Sequence, residues 1–535
     1  MEKRTLLFIV ISLAILVVYG RFFYQPPQET TPAPVAGSPS TPNVPTPTSP
    51  MLKATANPVQ SPAVTKMVEN SNFRVEFNSI SGFPWHWWMQ QYFEKPGKKG
   101  ANIDLLQGGD PSQVPLSLLL FPKQAPILPY FKAADSKAQE MIYEGEFQGL
   151  KVTQSLGVSD KNYSMEVSLH VTNTSNASVS IAPGLRIDLP QSPAPSKGFL
   201  IFKEAPNYKF PLFRLGTSVK RYQDVNKLGE SSEEIGDISW AGIEDRYFLR
   251  ILLARQVSAQ NLVGYGVHDN RVYTQLQYPE EALAPGQAKD YQFNVYLGPK
   301  DPALLKGFGN SKVDEAINYG WFSVIALPIL WSLKFLNSVL HNWGLAIIAL
   351  TIVIKLLLYP LTRTSMKSMK AMQDLQPQLK QMRERYKDDR ERLNVETMNL
   401  FKANKVNPMG GCLPMLLQMP IYIALYKVLY NATDLFHAPF FGFYNDLSAP
   451  DPFYILPILL GISMVFQQRL SPSGGDPAQA KMMTFMPILF SAFMLFLPLG
   501  LVLYIFVNTL MTVVQQYMNQ KNISLVDLFR GGSKA

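Results

Sequence analysis

Cysteine is almost missing from this chain: among 535 residues only Cys412 carries a thiol. One cysteine excludes an intrachain disulfide, so a domain outside the cytoplasm must be held by its core alone. Histidine is scarce too. His86, His170, His268, His341 and His437 show no ligand spacing, which argues against a metal site, and no cofactor is signalled. No G-x-x-x-x-G-K-[ST] occurs, so nothing points to a nucleotide-driven step. No internal repeat is visible, which weighs against the repeated halves common in small-solute transporters. Acidic residues are absent from the apolar runs 343–362, 411–430, 453–469 and 482–517.

What is present is unevenly distributed. The chain is 47% hydrophobic with a net charge of +9, and the apolar runs crowd its last 220 positions. That is the pattern of an integral membrane protein with a large extramembranous part. The basic residues cluster beside the apolar runs, so orientation and lipid headgroups explain the charge better than a nucleic-acid partner.

In chain order, residues 1–24 read as an uncleaved signal anchor. Lys3 and Arg4 precede the apolar run, and bulky Val17, Val18 and Tyr19 stand where a cleavage site needs small residues. Residues 25–63 carry eleven prolines between Pro26 and Pro62 and form an extended tether. Residues 64–319 are β-rich. Tyr163, Met165, Val167, Leu169 and Val171 alternate with polar neighbours, and Tyr291, Phe293, Val295 and Leu297 repeat the pattern. Strands without long helical periods predict a large antiparallel sandwich. Trp85, Trp87, Trp88 and Tyr92 fit core better than a ligand cleft, since no converging acids or bases lie nearby.

Residues 320–341 are apolar but interrupted by Pro328, Ser332, Lys334, Asn337 and Ser338, and read as an amphipathic helix in the outer interface. Membrane helices follow over 342–362, 411–430, 453–469, 482–497 and 500–517, the last two divided by Pro498-Leu499-Gly500. Between the first two lies 363–410, with eleven basic residues against six acidic ones. Its break near Lys387-Asp388-Asp389 predicts a helical hairpin. The loop 431–452 has Asp434, Asp446 and Asp451 and no Lys or Arg, so it belongs outside. Six spans in all return the loop 470–481 and the tail 518–535 to the cytoplasm, with the N-terminus.

Lys355 is the unusual residue. It sits inside an apolar run with Thr351 and Tyr359 one turn away on either side and Gly344 on the same face. A lysine at bilayer depth costs about 2.5–3.5 kcal/mol, which marks a water-filled cavity or functional site; snorkelling to the near interface is the alternative. The later helices carry polar stripes as well. Gln418, Tyr422 and Tyr426 step by four, as do Tyr504, Asn508, Thr512 and Gln516; Ser463 and Gln467 are one turn apart, and Thr484 and Ser491 two turns. Lipid offers such groups nothing, so they face each other, a cavity or water. With no carboxylate in these spans to pair Lys355, a hydrated cavity carrying one positive charge is favoured over a dry bundle.

Several stretches together resemble the YidC family of membrane protein insertases, in its Gram-negative bacterial form. They are Lys405-Val-Asn-Pro-Met-Gly-Gly-Cys-Leu-Pro414 with Gln418-Met-Pro420, then Tyr359-Pro-Leu-Thr362, Asp451-Pro-Phe-Tyr-Ile-Leu-Pro457, and 482–486 followed by Pro487. The likeness covers about 320–517. It implies six transmembrane helices, five forming a core bundle, with a periplasmic antiparallel β-sandwich and a cytoplasmic helical hairpin. It also implies a hydrophilic groove, open to cytoplasm and lipid, through which nascent inner-membrane proteins are inserted and helped to fold, without enzymatic chemistry.

Groove positions would be Lys355, Thr351, Tyr359, Gln418, Tyr422, Tyr426, Ser463, Gln467, Ser491, Tyr504, Asn508 and Thr512. The hairpin that receives clients would use Met366, Met369, Met372, Arg383 and Arg385. Lys355 stands where the family usually has arginine, which keeps the charge and loses the bidentate fork. Ile505 follows Tyr504 where many members have a second aromatic. Implied partners are nascent membrane proteins, the Sec translocon, the ribosome, the signal recognition particle receptor and lipid. The rival readings are a small-solute transporter and an intramembrane hydrolase pairing Lys355 with Ser463 or Ser491.

Overall fold

The computed structural model describes residues 65–521 except 79–80, 98, 109–113, 123–125, 127–131, 134–139, 161, 192–197, 200–201, 204–207, 225–227, 257, 309–311, 388, 405, 407–412 and 471–476. The expected signal anchor and tether, most of the Lys405–Pro414 motif and the tail beyond 521 lie outside the described residues.

The alternating segments pair with one another. Strand Ser164–Asn173 runs antiparallel to Ala288–Pro299, with Leu169 opposite Tyr291, Val167 opposite Phe293 and Met165 opposite Val295. All six side chains are buried. Direct cross-strand pairs of this kind hold the register, because a one-residue slip would turn every one of them to solvent. They belong to a nine-stranded sheet running from Ser218–Arg221 to Lys132–Ala133. A five-stranded sheet with Arg271–Gln277 at its centre packs on it, chiefly against Ile238–Glu244 and Phe210–Leu215. Arg271–Gln277 and Ile238–Glu244 are buried on both faces, so Ile238–Glu244 reads as continuous ISWAGIE rather than as an alternation. A four-stranded sheet, Thr65–Glu69 to Lys99–Asp104, completes the β-rich unit. Its Trp87 is fully buried and stacks on Phe73 at 4.4 Å, whereas Trp88 stacks on His86 beneath the Arg74 guanidinium.

Ten α-helices follow among the described residues: α1 (Pro302–Lys306), α2 (Ser323–Leu340), α3 (Trp343–Leu357), α4 (Tyr359–Asp374), α5 (Gln376–Arg385), α6 (Arg390–Ala403), α7 (Leu413–Asn431), α8 (Ile455–Leu470), α9 (Pro477–Met494) and α10 (Leu499–Gln520). By length and composition, 320–340 and α10 are able to cross a membrane, and α3 with α4 would make a third such unit. Large apolar side chains stand exposed on these helices, including Trp331, Leu357, Ile462 and Phe485. A soluble protein rarely leaves so much apolar surface bare.

The helix expected over 342–362 ends at Leu357, and the axis turns by 65° into α4. Pro360 is the cause. It has no N–H to give the Leu356 carbonyl, and its ring crowds that carbonyl. Tyr359 and Thr362 therefore ride on a different axis from Lys355. α5 ends at Arg385 and α6 begins at Arg390.

The helices are docked on the β-rich unit. Lys334 of α2 reaches Asp301 at 2.7 Å and Asp434 at 3.0 Å. Arg246 donates through Nε to the Tyr430 carbonyl and lies 4.0 Å from the Tyr430 ring centre. Thr433 donates to the Tyr247 carbonyl, and Phe436 packs on Tyr247. Burial pushes the Asp434 carboxyl above its usual range, against the pull of Lys334.

Candidate functional site

Lys355 lies near the C-terminal end of α3 and is only 7% exposed. Its Nζ donates to Thr512 Oγ1 of α10 at 2.8 Å, and Thr512 in turn donates to the Asn508 carbonyl. The amine thus turns inward to a neighbouring helix instead of snorkelling outward. It has no ion pair among the described residues.

Two further contacts join α7 to α10. Gln418 Nε2 donates to the Tyr504 hydroxyl at 2.8 Å, and Asn508 Nδ2 donates to the Tyr422 hydroxyl. The Tyr422 and Tyr504 rings meet edge to face at 5.6 Å. Four stripe residues spaced by fours on two helices therefore close into one polar ladder, with Lys355 and Thr512 one turn farther along α10. Each member satisfies a group that hydrocarbon would leave bare.

The remaining predicted positions stand apart from this ladder. Thr351 is buried and returns its hydroxyl to the Ile347 carbonyl of its own helix. Ser463 does the same to Leu459. Ser491 donates to the Pro457 carbonyl of α8 and sits against Gly461, where a Cβ would come within 2.8 Å of the Ser491 hydroxyl. Tyr426 lies 5.5 Å from the Tyr430 ring, away from Lys355's bond, and Gln467 is half-buried on α8. Lys355 meets a threonine, not a serine, so the hydrolase reading gains no geometric support.

Lys355 does not line the opening beyond the α3–α4 corner. A cavity of about 390 Å³ lies between α4 and the end of α10, with Tyr359, Thr362, Met366, Gln515 and Met518 in its walls. Met366 is buried there, while Met369 and Met372 are half-buried and Arg383 and Arg385 exposed. Sequence reasoning missed Gln515, which falls outside the stripe through Tyr504, Asn508 and Thr512. It also missed the role of Asp451. That carboxylate accepts from the Phe453 and Leu456 N–H groups and from the Tyr444 hydroxyl, and so caps the start of α8. An Asp directly before an apolar run was the available signal.

Two family models match the chain, one over its β-rich part and one over its helical part. Residues 335–525 match the family described as 60Kd inner membrane protein, and residues 66–332 match the YidC periplasmic domain. The membrane protein insertase YidC of Geobacter sulfurreducens is 36% identical, over 98% of this chain and all of the relative. That of Syntrophus aciditrophicus is 34% identical over 97% of this chain and all of the relative. Among solved structures, an active YidC insertase with its first transmembrane domain resolved is 17% identical with a TM-score of 0.39, covering 85% of this chain and 93% of that one.

Proposed function

The chain belongs to the YidC family of membrane protein insertases, and from that premise we propose how its residues perform the task. It is an inner-membrane insertase acting on nascent membrane proteins, not an enzyme, and its β-rich domain is periplasmic. The proposed arrangement has six spans, with both termini and the helical hairpin (α4 to α6) in the cytoplasm. Loop 431–452 would lie outside, where it docks on the β-rich domain, and α2 would lie along the outer interface. The ladder Lys355–Thr512, Asn508–Tyr422 and Tyr504–Gln418 would form the polar lining of a groove that the hairpin supplies with clients. Sec translocon, ribosome and signal recognition particle receptor are proposed partners.

The physical task is to move a short polar flank through hydrocarbon, at several kcal/mol for each unsatisfied group. A polar lining partway across shortens the dry path. Lys355 attracts acidic residues in the translocated tail, and the client helix leaves along the apolar outer faces of α7 and α9. One observation carries this reading: an amine buried among bilayer-depth helices with a neutral hydroxyl as its partner and no counter-ion among the described residues. Such a charge is held ready for an acidic group that arrives and departs.

The test is insertion of paired clients, with acidic and neutral tails, into vesicles containing the purified protein. Lys355→Ala is expected to reduce insertion of the acidic-tailed client by about fivefold, on the order of 1 kcal/mol for one charge near the membrane. Equal insertion of both clients by wild type and variant alike would remove the charge from the mechanism.

A further inference from the structure

The cavity between α4 and α10 is lined by a second group of basic residues that the insertion mechanism does not use. Arg363, Lys367 and Lys370 follow each other at four- and three-residue steps on α4, and Asp374 stands at the far end. Neither Arg363 nor Lys367 has an ion pair among the described residues. Across the cavity, Gln515 is more than nine-tenths buried, and its Oε1 has no donor among the described residues. A buried amide oxygen left bare costs about 1–3 kcal/mol, so it calls for an N–H or O–H beyond those the described residues supply. The ligand must therefore offer negative charge to one wall and a hydrogen-bond donor to the other.

Depth narrows the choice. The cavity, of about 390 Å³, has room for a small polar group. Gln515 and Met518 belong to the last turns of α10, which spans the bilayer in the arrangement proposed above, so the cavity lies at headgroup level. Basic pockets between membrane helices on the cytoplasmic side suit anionic lipid headgroups. Three basic residues against one acidic favour a net anionic headgroup over a zwitterion.

We propose that this cavity is a site for the headgroup of an anionic glycerophospholipid whose alcohol keeps a free hydroxyl, as in phosphatidylglycerol. The phosphodiester lies against Arg363 and Lys367, and the headgroup hydroxyl donates to Gln515 Oε1. Met366 and Met518 border the less polar glycerol ester region. The site holds one lipid beside the corner between α3 and α4, separate from the Lys355 ladder.

The test is native mass spectrometry of the full chain in detergent micelles supplied with phosphatidylglycerol, phosphatidylethanolamine or phosphatidylmethanol, which keeps the phosphodiester but has no headgroup hydroxyl. Wild type is expected to retain one phosphatidylglycerol, favoured about three- to tenfold over phosphatidylmethanol by the extra hydrogen bond. Gln515→Leu is expected to erase that difference while keeping the preference for anionic lipid. Arg363→Gln with Lys367→Gln is expected to lower retention of both anionic lipids on the order of tenfold. Lys367→Gln alone, at an exposed side chain, should fall between the two and guards against misfolding of the double variant. Equal retention of phosphatidylglycerol and phosphatidylmethanol by wild type would overturn the proposal. So would binding of soluble glycerol phosphate as tight as that of the lipid, which would make the ligand a free phosphate ester. Displacement by an acidic peptide but not by competing lipid would make it a client site and overturn the proposal as well. Because the readout is lipid retention, its failure leaves the insertion assay with Lys355→Ala unaffected.

Discussion

Lys355 and Thr512 are 157 residues apart in sequence, yet the amine of one donates to the hydroxyl of the other at 2.8 Å. The pair joins α3 to α10 at the end of a ladder whose other rungs join α7 to α10. The threonine hydroxyl donates a hydrogen bond to the Asn508 carbonyl, so its lone pairs are left to accept from the lysine. A hydroxyl orients the amine without neutralising it, which a carboxylate in the same place would do.

Thr512→Val removes the acceptor and keeps the shape. It is expected to lower insertion of acidic-tailed clients by about two- to fivefold, up to the whole effect of one charge near the membrane. Lys355→Arg is expected to retain insertion near the wild-type level, because the charge is kept. Protease protection of the client's translocated tail in vesicles measures both. A Thr512→Val protein that inserts as wild type would show that Lys355 needs no orientation.

Tyr504→Phe leaves Gln418 Nε2 without its acceptor inside the bundle. The expected loss of stability is about 0.6–2 kcal/mol, read from thermal or denaturant unfolding in detergent. Removing both partners with Gln418→Leu and Tyr504→Phe should cost less than the two single changes summed, because neither polar group is then left bare. Strict additivity would mean that the two residues do not interact.

Gly344→Ala tests close packing at the start of α3. A Cβ there would fall 2.0 Å from a ring carbon of Phe440, in the loop that follows α7. Overpacking of this order costs about 1–3 kcal/mol. Phe440→Leu in the same chain should recover part of the loss, which unfolding of the single and double variants would reveal.

The β-rich domain has an acid-sensitive cluster. Burial alone would raise the Asp188 carboxyl, but Arg186, His268 and Arg271 together hold it below the usual range. A carboxyl depressed in the folded state contributes stability above its unfolded value near 4, and that contribution is lost as pH falls through the lower folded value. Asp188→Asn leaves two guanidinium groups without their carboxylate and should cost about 3 kcal/mol at neutral pH. The variant should also lose stability less steeply than wild type below pH 4. Unfolding of the full chain followed by tryptophan fluorescence across pH 2–7 checks both.

Much of this was legible in the sequence because the relevant periods are short. The alternation at Met165, Val167 and Leu169 announced a strand, and its partner at Tyr291, Phe293 and Val295 announced itself in the same way. Four-residue spacing put Tyr504, Asn508 and Thr512 on one face. It did not say whom they would meet, since which helices are neighbours is a matter of tertiary packing. The pairing of Asn508 with Tyr422, and of Lys355 with Thr512, is a property of the packed helices and not of any one period. Buried central strands such as Ile238–Glu244 hide for the opposite reason, because with both faces covered no alternation survives. Pro360 could have been read as a kink. Its apolar surroundings made one continuous span the simpler expectation, and the opening beyond the corner was missed with it.

That corner also sets a mechanical ratio. From Tyr359 to Asp374, α4 extends about 24 Å, at 1.5 Å per residue. Lys355 lies three residues before the pivot at Leu358, about 5 Å away on the other side. A 10° swing of the long limb would sweep its tip by about 4 Å, whereas the same rotation carried across the pivot would shift the lysine by less than about 1 Å. A given rotation at this corner would therefore carry the far end of α4 several times farther than the amine at its root.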